Sequence, residues 1–411
     1  MTYGAMMRIE TKIAHALGKV STTDWIRVPV IIFVITRLVV FVSGYISLHA
    51  FPLSRHRGIW RRLTDNLFLD GWVRWDSGYY LEIFEKGYSY RPGEQCSAAF
   101  FPLYPLVAKV FTPFTDRAEI ALLLTSLIAF LAALILLYKL VKLEFNSPAI
   151  AERATFYFAI FPTAFFFNAA YSESLFAFLA IGTFYFARKR RWLLAGVFGM
   201  LGSATRVPGI LLFGVLWLEW LRSHGWTPGK VFTANAWQSA FSGFKCDWTS
   251  LLFIHMAPLG LVAFMLYLNG EFNDPLTFVR AQSAWSREFV GPLQILSQAL
   301  VEFFSQPFVD GIRINWILGV DLFSFFFVFI TGIFIWRKLG ASYGLFNILN
   351  VSIPVSTSIY SMSRMAVVCF PAFMCLAVVG EKKAWDRLIV FSSSTLLAIL
   401  SARFVNWIWV A

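Results

Sequence analysis

Residues 98–113, Ala98-Ala99-Phe100-Phe101-Pro102-Leu103-Tyr104-Pro105-Leu106-Val107-Ala108-Lys109-Val110-Phe111-Thr112-Pro113, decide how this chain is threaded. The stretch is apolar but short, and Pro102, Pro105 and Pro113 interrupt it. A helix that crosses a hydrocarbon core needs about 20 apolar residues in an unbroken ladder. If this stretch crosses, every later segment changes side. The bias of Lys and Arg toward the cytoplasm separates the two cases. With 98–113 lying on the outer surface, Lys139 and Lys142, Arg188-Lys189-Arg190-Arg191, Arg222, Lys230, Lys245, Arg337-Lys338, Lys382, Lys383 and Arg387 all fall inside, as do the N-terminal basic residues. With it spanning, all the later groups move outside.

The remaining apolar stretches are 27–48, 119–142, 150–170, 172–188, 191–205, 207–222, 248–268, 316–336, 341–360, 365–380 and 386–408. The expectation is therefore an all-α polytopic membrane protein of eleven spans in one domain, N-terminus in and C-terminus out. Two long external loops follow, 49–118 and 269–315. The composition agrees: of 411 residues, 58% are hydrophobic, 18% aromatic and only 14% charged. A soluble chain of this size has too little interior for that apolar content, and the runs are too continuous for the alternating strands of a β-barrel. Before the first span, Met6, Ile9, Ile13, Leu17 and Val20 recur at helical spacing among Arg8, Lys12 and Lys19, as in an amphipathic helix on the membrane surface. No cleavable signal peptide is expected.

The net charge of +12 fits loops that meet anionic lipid or phosphate, and nucleic acid is not an expected partner. Cys96, Cys246, Cys369 and Cys375 form no CxxC pair, so neither a disulfide framework nor a zinc site is expected. The first loop carries Arg55, Arg57, Arg61, Arg62, Arg74, Lys86, Arg91, Lys109 and Arg117 on the outside, against the usual bias, which points to something anionic held there.

With this threading, the polar clusters come out on one face. They are Arg74–Tyr80, Tyr171–Ser174, Ala204–Gly209, the loop with Gln282 and Trp285, and Ser361–Arg364. Asp76 precedes a short amphipathic helix stopped by Gly87. It reads as an N-cap accepting a backbone N–H, or as a general base within reach of an acceptor hydroxyl. Glu173 opens a membrane helix, either in a capping arrangement with Ser172 or as an ionisable group kept at membrane depth for function. Asp65 and Asp70 read as turn residues. Arg206 and Arg364 stand at outward span ends, as snorkelling side chains or as phosphate clamps. Arg37, mid-span, requires a partner or a cavity. His255 reads as a packed core residue.

The segments RWDSGYYLEIFEKGY (Arg74–Tyr88), EQCSAAFFPLYP (Glu94–Pro105), FP…YSESLFAF (Phe161–Phe178) and SATRVPGILL (Ser203–Leu212) together resemble the PIG-V family, which includes the second mannosyltransferase of GPI-anchor assembly and prokaryotic relatives. The match runs in order up to residue 215; Phe278, Gln282, Trp285 and Ser363-Arg364 continue it more weakly. The resemblance implies a GT-C type glycosyltransferase of the prokaryotic kind, in a plasma membrane with its active site on the extracytoplasmic face. It implies an inverting transfer of mannose from a polyprenyl-phosphate donor to a glycan or glycolipid acceptor among membrane lipids, without metal or cofactor. It also implies an essential acid in the first external loop beside short membrane-parallel helices, which here is Asp76. The expected roles are Asp76 and Glu173 in catalysis, Arg206, Arg364 and Arg74 on the donor phosphate, and Trp75, Tyr79, Tyr171, Gln282 and Trp285 on substrate. The alternatives are a flippase or transporter of lipid-linked saccharide, whose polar groups would line a path between both faces, and a non-catalytic assembly subunit.

Overall fold

The computed structural model describes residues 23–52, 64–226, 247–305 and 308–410. The expected surface helix over Met6–Val20, the basic group Arg55–Arg62, and Lys230 and Lys245 lie outside the described residues. Among the described residues every regular element is helical. In chain order these are α1 (Asp24–Ala50), α2 (Leu67–Trp72), α3 (Ser77–Glu85), α4 (Leu103–Ala108), α5 (Ala118–Phe145), α6 (Pro148–Ile160), α7 (Glu173–Arg188), α8 (Trp192–Ser203), α9 (Leu211–Ser223), α10 (Trp248–Ile254), α11 (Leu259–Phe272), α12 (Thr277–Arg280), α13 (Pro292–Ser305), α14 (Phe308–Leu339), α15 (Ala341–Val355), α16 (Met362–Ala366), α17 (Phe370–Val379) and α18 (Lys383–Val405).

Among the described residues, α1, α5, α14 over Trp316–Leu339, and α18 are long and apolar enough to cross a membrane. The pair α10 and α11, bent by 43° at its break, makes a fifth. At 1.5 Å per residue the 27 residues of α1 reach about 40 Å. The other expected spans are shorter helices, and most breaks follow prolines. The stretch 150–170 is helical only to Ile160, because Phe161 precedes Pro162 and takes an extended ψ of 144°. The stretches 191–205 and 207–222 meet at an extended Arg206 and a 3-10 turn, Val207–Ile210, containing Pro208. The stretch 341–360 stops at Val355, just after Pro354. The stretch 365–380 divides into α16 and α17, with Pro371 in the first turn of α17. Residues 98–113 form no single helix. They hold the six-residue α4 between two 3-10 turns, and Tyr104 fastens α4 to α5 by donating its hydroxyl to Leu122 O at 2.8 Å.

Helix α5 is central, with α1, α6 and α7 packed around it; α18 lies on α1, α17 on α6, and α14 on α15 and α17. Phenylalanines fill the middle: Phe130 stacks on Phe167 at 4.3 Å, and Phe158 meets both Phe167 and Phe373. On the far side of α7, α8 lies so close to the bent pair that a Cβ at Gly196 would come within 2.0 Å of Phe253 O, and one at Gly260 within 2.0 Å of Met200 O. Small residues permit such backbone contact between helices. Val34, Leu38 and Ile46 on α1 stay exposed, as lipid-facing residues do. His255 is also exposed; its ring packs on Phe213 and Trp217, so the core position expected for it is not taken.

The early end of α6 leaves carbonyls without a helical partner. Arg37, 2% exposed, supplies it. Its guanidinium donates to Ala159 O at 2.6 Å, to Ala164 O at 2.8 Å and to Asn168 Oδ1, and lies 4.6 Å from the ring centroid of Phe130. The partner that a mid-span arginine needs is thus a set of backbone carbonyls freed by Pro162. Replacing Arg37 by Leu orphans these buried acceptors and is expected to destabilise the protein by at least about 2 kcal/mol. Leu38→Ala on the exposed side is expected to be nearly neutral. Thermal unfolding in detergent micelles checks both, and equal midpoints for the two variants would contradict the capping role.

Candidate functional site

Trp72 starts the construction. Its carbonyl accepts from Ala170 N at 3.0 Å, which ties the end of α2 to the turn before α7. Arg74 is wholly buried. It pairs with Asp70 at 2.8 Å, donates to Val405 O at 2.8 Å and stacks over Trp407 at 4.4 Å. Trp75, 6% exposed, packs edge-on against Trp407 at 5.3 Å and Trp409 at 5.0 Å. Its φ of +53° is a left-handed value that costs a bulky residue, and it swings the chain so that Asp76 faces the other way. Arg74 and Trp75 therefore clamp this segment onto the end of α18. Arg74, expected on the donor phosphate, and Trp75, expected on substrate, are both buried here and face no open space. Asp70 is not the turn residue expected but the buried partner of that arginine, while Asn66 caps α2 and Asp65 is exposed.

Asp76 occupies the N-cap position of α3, yet its carboxylate makes no capping hydrogen bond. It turns instead to Arg364, whose Nη1 it meets through Oδ2. Arg364 Nε binds Glu173 Oε1, and the same oxygen is ion-paired with Arg206 Nη1. Two carboxylates and two guanidiniums from four distant segments thus form one ion cluster. Ser172 does not cap α7 either; its Oγ accepts from Tyr80 at 2.8 Å. The Tyr80 hydroxyl is pushed up to about 12, by burial first and then by Glu173, with Arg206 and Arg364 opposing, so it stays a neutral donor. Glu173 Oε2 is buried without a hydrogen-bond partner. The Asp76 side chain retains 17% exposure against 0% for Glu173, so Asp76 is the more accessible of the two acids.

Three neighbours hold the cluster in shape. Tyr171 donates its hydroxyl to Arg74 O at 3.2 Å and accepts from Asp76 N at 3.3 Å, and its ring lies 4.5 Å from the Arg364 guanidinium. Asp321, fully buried on α14, accepts from Ser363 N at 2.8 Å and Ser361 N at 3.1 Å. That fixes the turn before Arg364, where Ser361 has φ of +67°. Thr163 binds Ser363 O from the opposite side at 2.9 Å. Arg206 also donates to Met365 Sδ at 3.3 Å, and Ala204 O receives Leu103 N at 3.1 Å, which brings α4 beside the site.

Next to the acids, Tyr79 stacks on Phe100 at 4.7 Å, with Trp285 edge-on to both. All three are half-buried, and Tyr79 donates to Gln95 Oε1 at 3.2 Å. Gln282 accepts Arg287 N through its carbonyl at 3.4 Å. The five polar clusters expected on one face therefore meet. The sequence reading missed Asp321 and Arg287. Asp321 had a signal, an acid inside an apolar span; Arg287 had none.

Residues 57–224 match the family model described as Mannosyltransferase (PIG-V). Over 120 residues the chain is 33% identical to the GPI mannosyltransferase 2 of Drosophila pseudoobscura pseudoobscura, covering 27% of this chain and 26% of that protein. Over 159 residues it is 32% identical to the GPI alpha-1,6-mannosyltransferase 2 of Rattus norvegicus, covering 36% of this chain and 31% of that protein. The match thus spans less than a third of either relative. The fold is similar to that of the oligosaccharyltransferase of Archaeoglobus fulgidus in the apo form, with a TM-score of 0.52 at 14% identity over 95% of this chain and 57% of that one. Residues 57–224, which carry Asp76, Glu173 and Arg206, are therefore the part of the chain that is similar to the mannosyltransferase (PIG-V) family.

Proposed function

We propose that the chain is a membrane glycosyltransferase that moves mannose from a polyprenyl-phosphate donor to an acceptor hydroxyl on a glycan or glycolipid. In this reading eleven segments cross a prokaryotic plasma membrane with the N-terminus inside, and the ion cluster sits at the extracytoplasmic surface. The observation that carries it is the partly exposed Asp76 carboxylate beside buried guanidiniums. Asp76 takes the proton as the acceptor oxygen attacks the anomeric carbon, and the bond from that carbon to the phosphate oxygen breaks. One displacement inverts the configuration. The departing lipid phosphate gains negative charge, and fixed cations aimed at that position stabilise the transition state. Arginines in this role supply the positive charge for which other transferases recruit a metal. In this reading the enclosed Glu173 supports the site by holding Arg206 and Arg364, and the Tyr79–Phe100–Trp285 surface offers rings for a sugar face.

A transporter would need polar groups between the two faces. A second buried ion cluster exists, with Arg188 pairing with Glu144 at 2.9 Å and Glu219 at 3.3 Å. It lies at the opposite end of α7 from Glu173, about 22 Å away along the helix. Between the two ends α7 buries Phe176, Ala177, Leu179, Ala180, Ile181 and Phe184, and Thr183 satisfies itself on Leu179 O. That apolar stretch favours catalysis over a conduit.

The test is transfer by purified protein from polyprenyl-phosphate-mannose. Asp76→Asn is expected to lower the rate by about 10²–10⁴, and full activity would remove Asp76 from the role of base. Movement of lipid-linked sugar across the bilayer without a new glycosidic bond would favour the transporter. Asp321→Asn loosens the turn that aims Arg364. It is expected to lower kcat more than it raises KM and to cost about 1–3 kcal/mol of stability; steady-state kinetics beside thermal unfolding check this, and wild-type values in both would contradict the positioning role.

A further inference from the structure

Arg287 adds a fifth charge to the two acids and two arginines of the site. It follows the 3-10 turn Ala281–Trp285, and Ser286 at φ of +54° folds the chain back before it. On one side Trp285 packs against Tyr79, three residues beyond Asp76. On the other, Arg287 Nη2 donates to Tyr360 O at 3.4 Å, four residues before Arg364, and Val290 and Gly291 both donate to Ser356 O. The loop is thus fastened to the segment of Asp76 and to the segment of Arg364, with Arg287 between them. Burial is the largest influence on its guanidinium and lowers its pKa; Arg364 and Arg206 lower it further, and Asp76 and Asp321 oppose. Among the described residues no carboxylate lies within ion-pair distance of it.

We propose that Arg287 is the docking cation for the phosphate ester of the lipid-linked donor, in the place first assigned to Arg206 and Arg364. The pairing carries this: Arg206 and Arg364 are held by Glu173 and Asp76, whereas Arg287 has no carboxylate at ion-pair distance among the described residues, and a polyprenyl-phosphate sugar is a phosphodiester with one negative charge. Arg206 and Arg364 already compensate Asp76 and the buried Glu173, and drawing them away is costly. Arg287 gives up nothing, because one long bond to Tyr360 O leaves most of its five-donor fork free. The planar fork also fits two phosphate oxygens at once.

The inference rests on the donor class proposed above, and its test separates the two. Wild-type protein in nanodiscs is titrated with geranylgeranyl phosphate and with geranylgeraniol by calorimetry. The phosphate is expected to bind at least about tenfold more tightly than the alcohol. Arg287→Gln is expected to erase that difference while leaving the alcohol unchanged. Arg287→Lys keeps a point charge without the fork and is expected to fall between; it also serves as the test should Arg287→Gln fail to fold. Arg280→Gln, at an exposed arginine of the same loop paired with Asp274 at 2.9 Å, is expected to bind like wild type. Full preference for phosphate in Arg287→Gln would overturn Arg287 and leave the donor class standing. No preference in wild type would overturn both. Displacement of the prenyl phosphate by equal concentrations of inorganic phosphate or phosphatidic acid would make Arg287 a general anion site and overturn its assignment to the donor.

Discussion

A buried charge must be matched, and in this protein that requirement organises the site. Glu173 is wholly enclosed at the start of α7, and it holds two arginines from opposite directions. One of them, Arg364, then holds Asp76. Taking any member out of the water is expensive, and only the full set compensates. The cluster therefore draws together the loop before α3, the turn before α7, the break between α8 and α9, and the short α16.

The breaks that expose these side chains are themselves a backbone problem. A helix interrupted at membrane depth leaves carbonyls and N–H groups with no water to turn to. Arg37 answers for the carbonyls at the end of α6, and Asp321 answers for the N–H groups of the turn that carries Arg364. Each is an ionised side chain set deep in a long helix to complete the hydrogen bonding of a neighbouring broken one. The long helices α1 and α14 thus serve as supports, and the broken segments between shorter helices present the chemistry.

Much of this was readable from the chain. Polar residues in apolar stretches are rare enough to stand out, and that rule found Asp76, Glu173, Arg206 and Arg364. Prolines 162, 354 and 371 stand in the sequence at or beside the breaks, but the apolar runs carried the expected spans past them; only the break at Pro208 was expected. The same rule, applied to Asp321 as it was to Arg37, would have found the acid on α14. What sequence could not settle was which arginine is already spoken for. Arg74 lies four residues after Asp70, a helical spacing visible in the chain, but only its contact with Val405 O shows it to be interior. Trp75 looked available because its covering rings, Trp407 and Trp409, lie more than 300 residues later in the chain. Arg287 is one basic residue among several in its loop, and its meaning comes wholly from what the fold places around it.

The clamp of Arg74 and Trp75 on the end of α18 also sets a timetable. A membrane protein is threaded in order, and the segment bearing Asp76 emerges early. Its anchor, Val405 O, lies 331 residues further on. Until α18 arrives, Arg74 has Asp70 but neither its carbonyl nor its tryptophan, and the left-handed Trp75 has nothing to hold it. Arg364 reaches Asp76 nearly as late, across 288 residues. The acid therefore gains its place and its neutralising partner only after the segments bearing Arg364 and Val405 have been made. A nascent chain stalled before α18 carries the motif without the site.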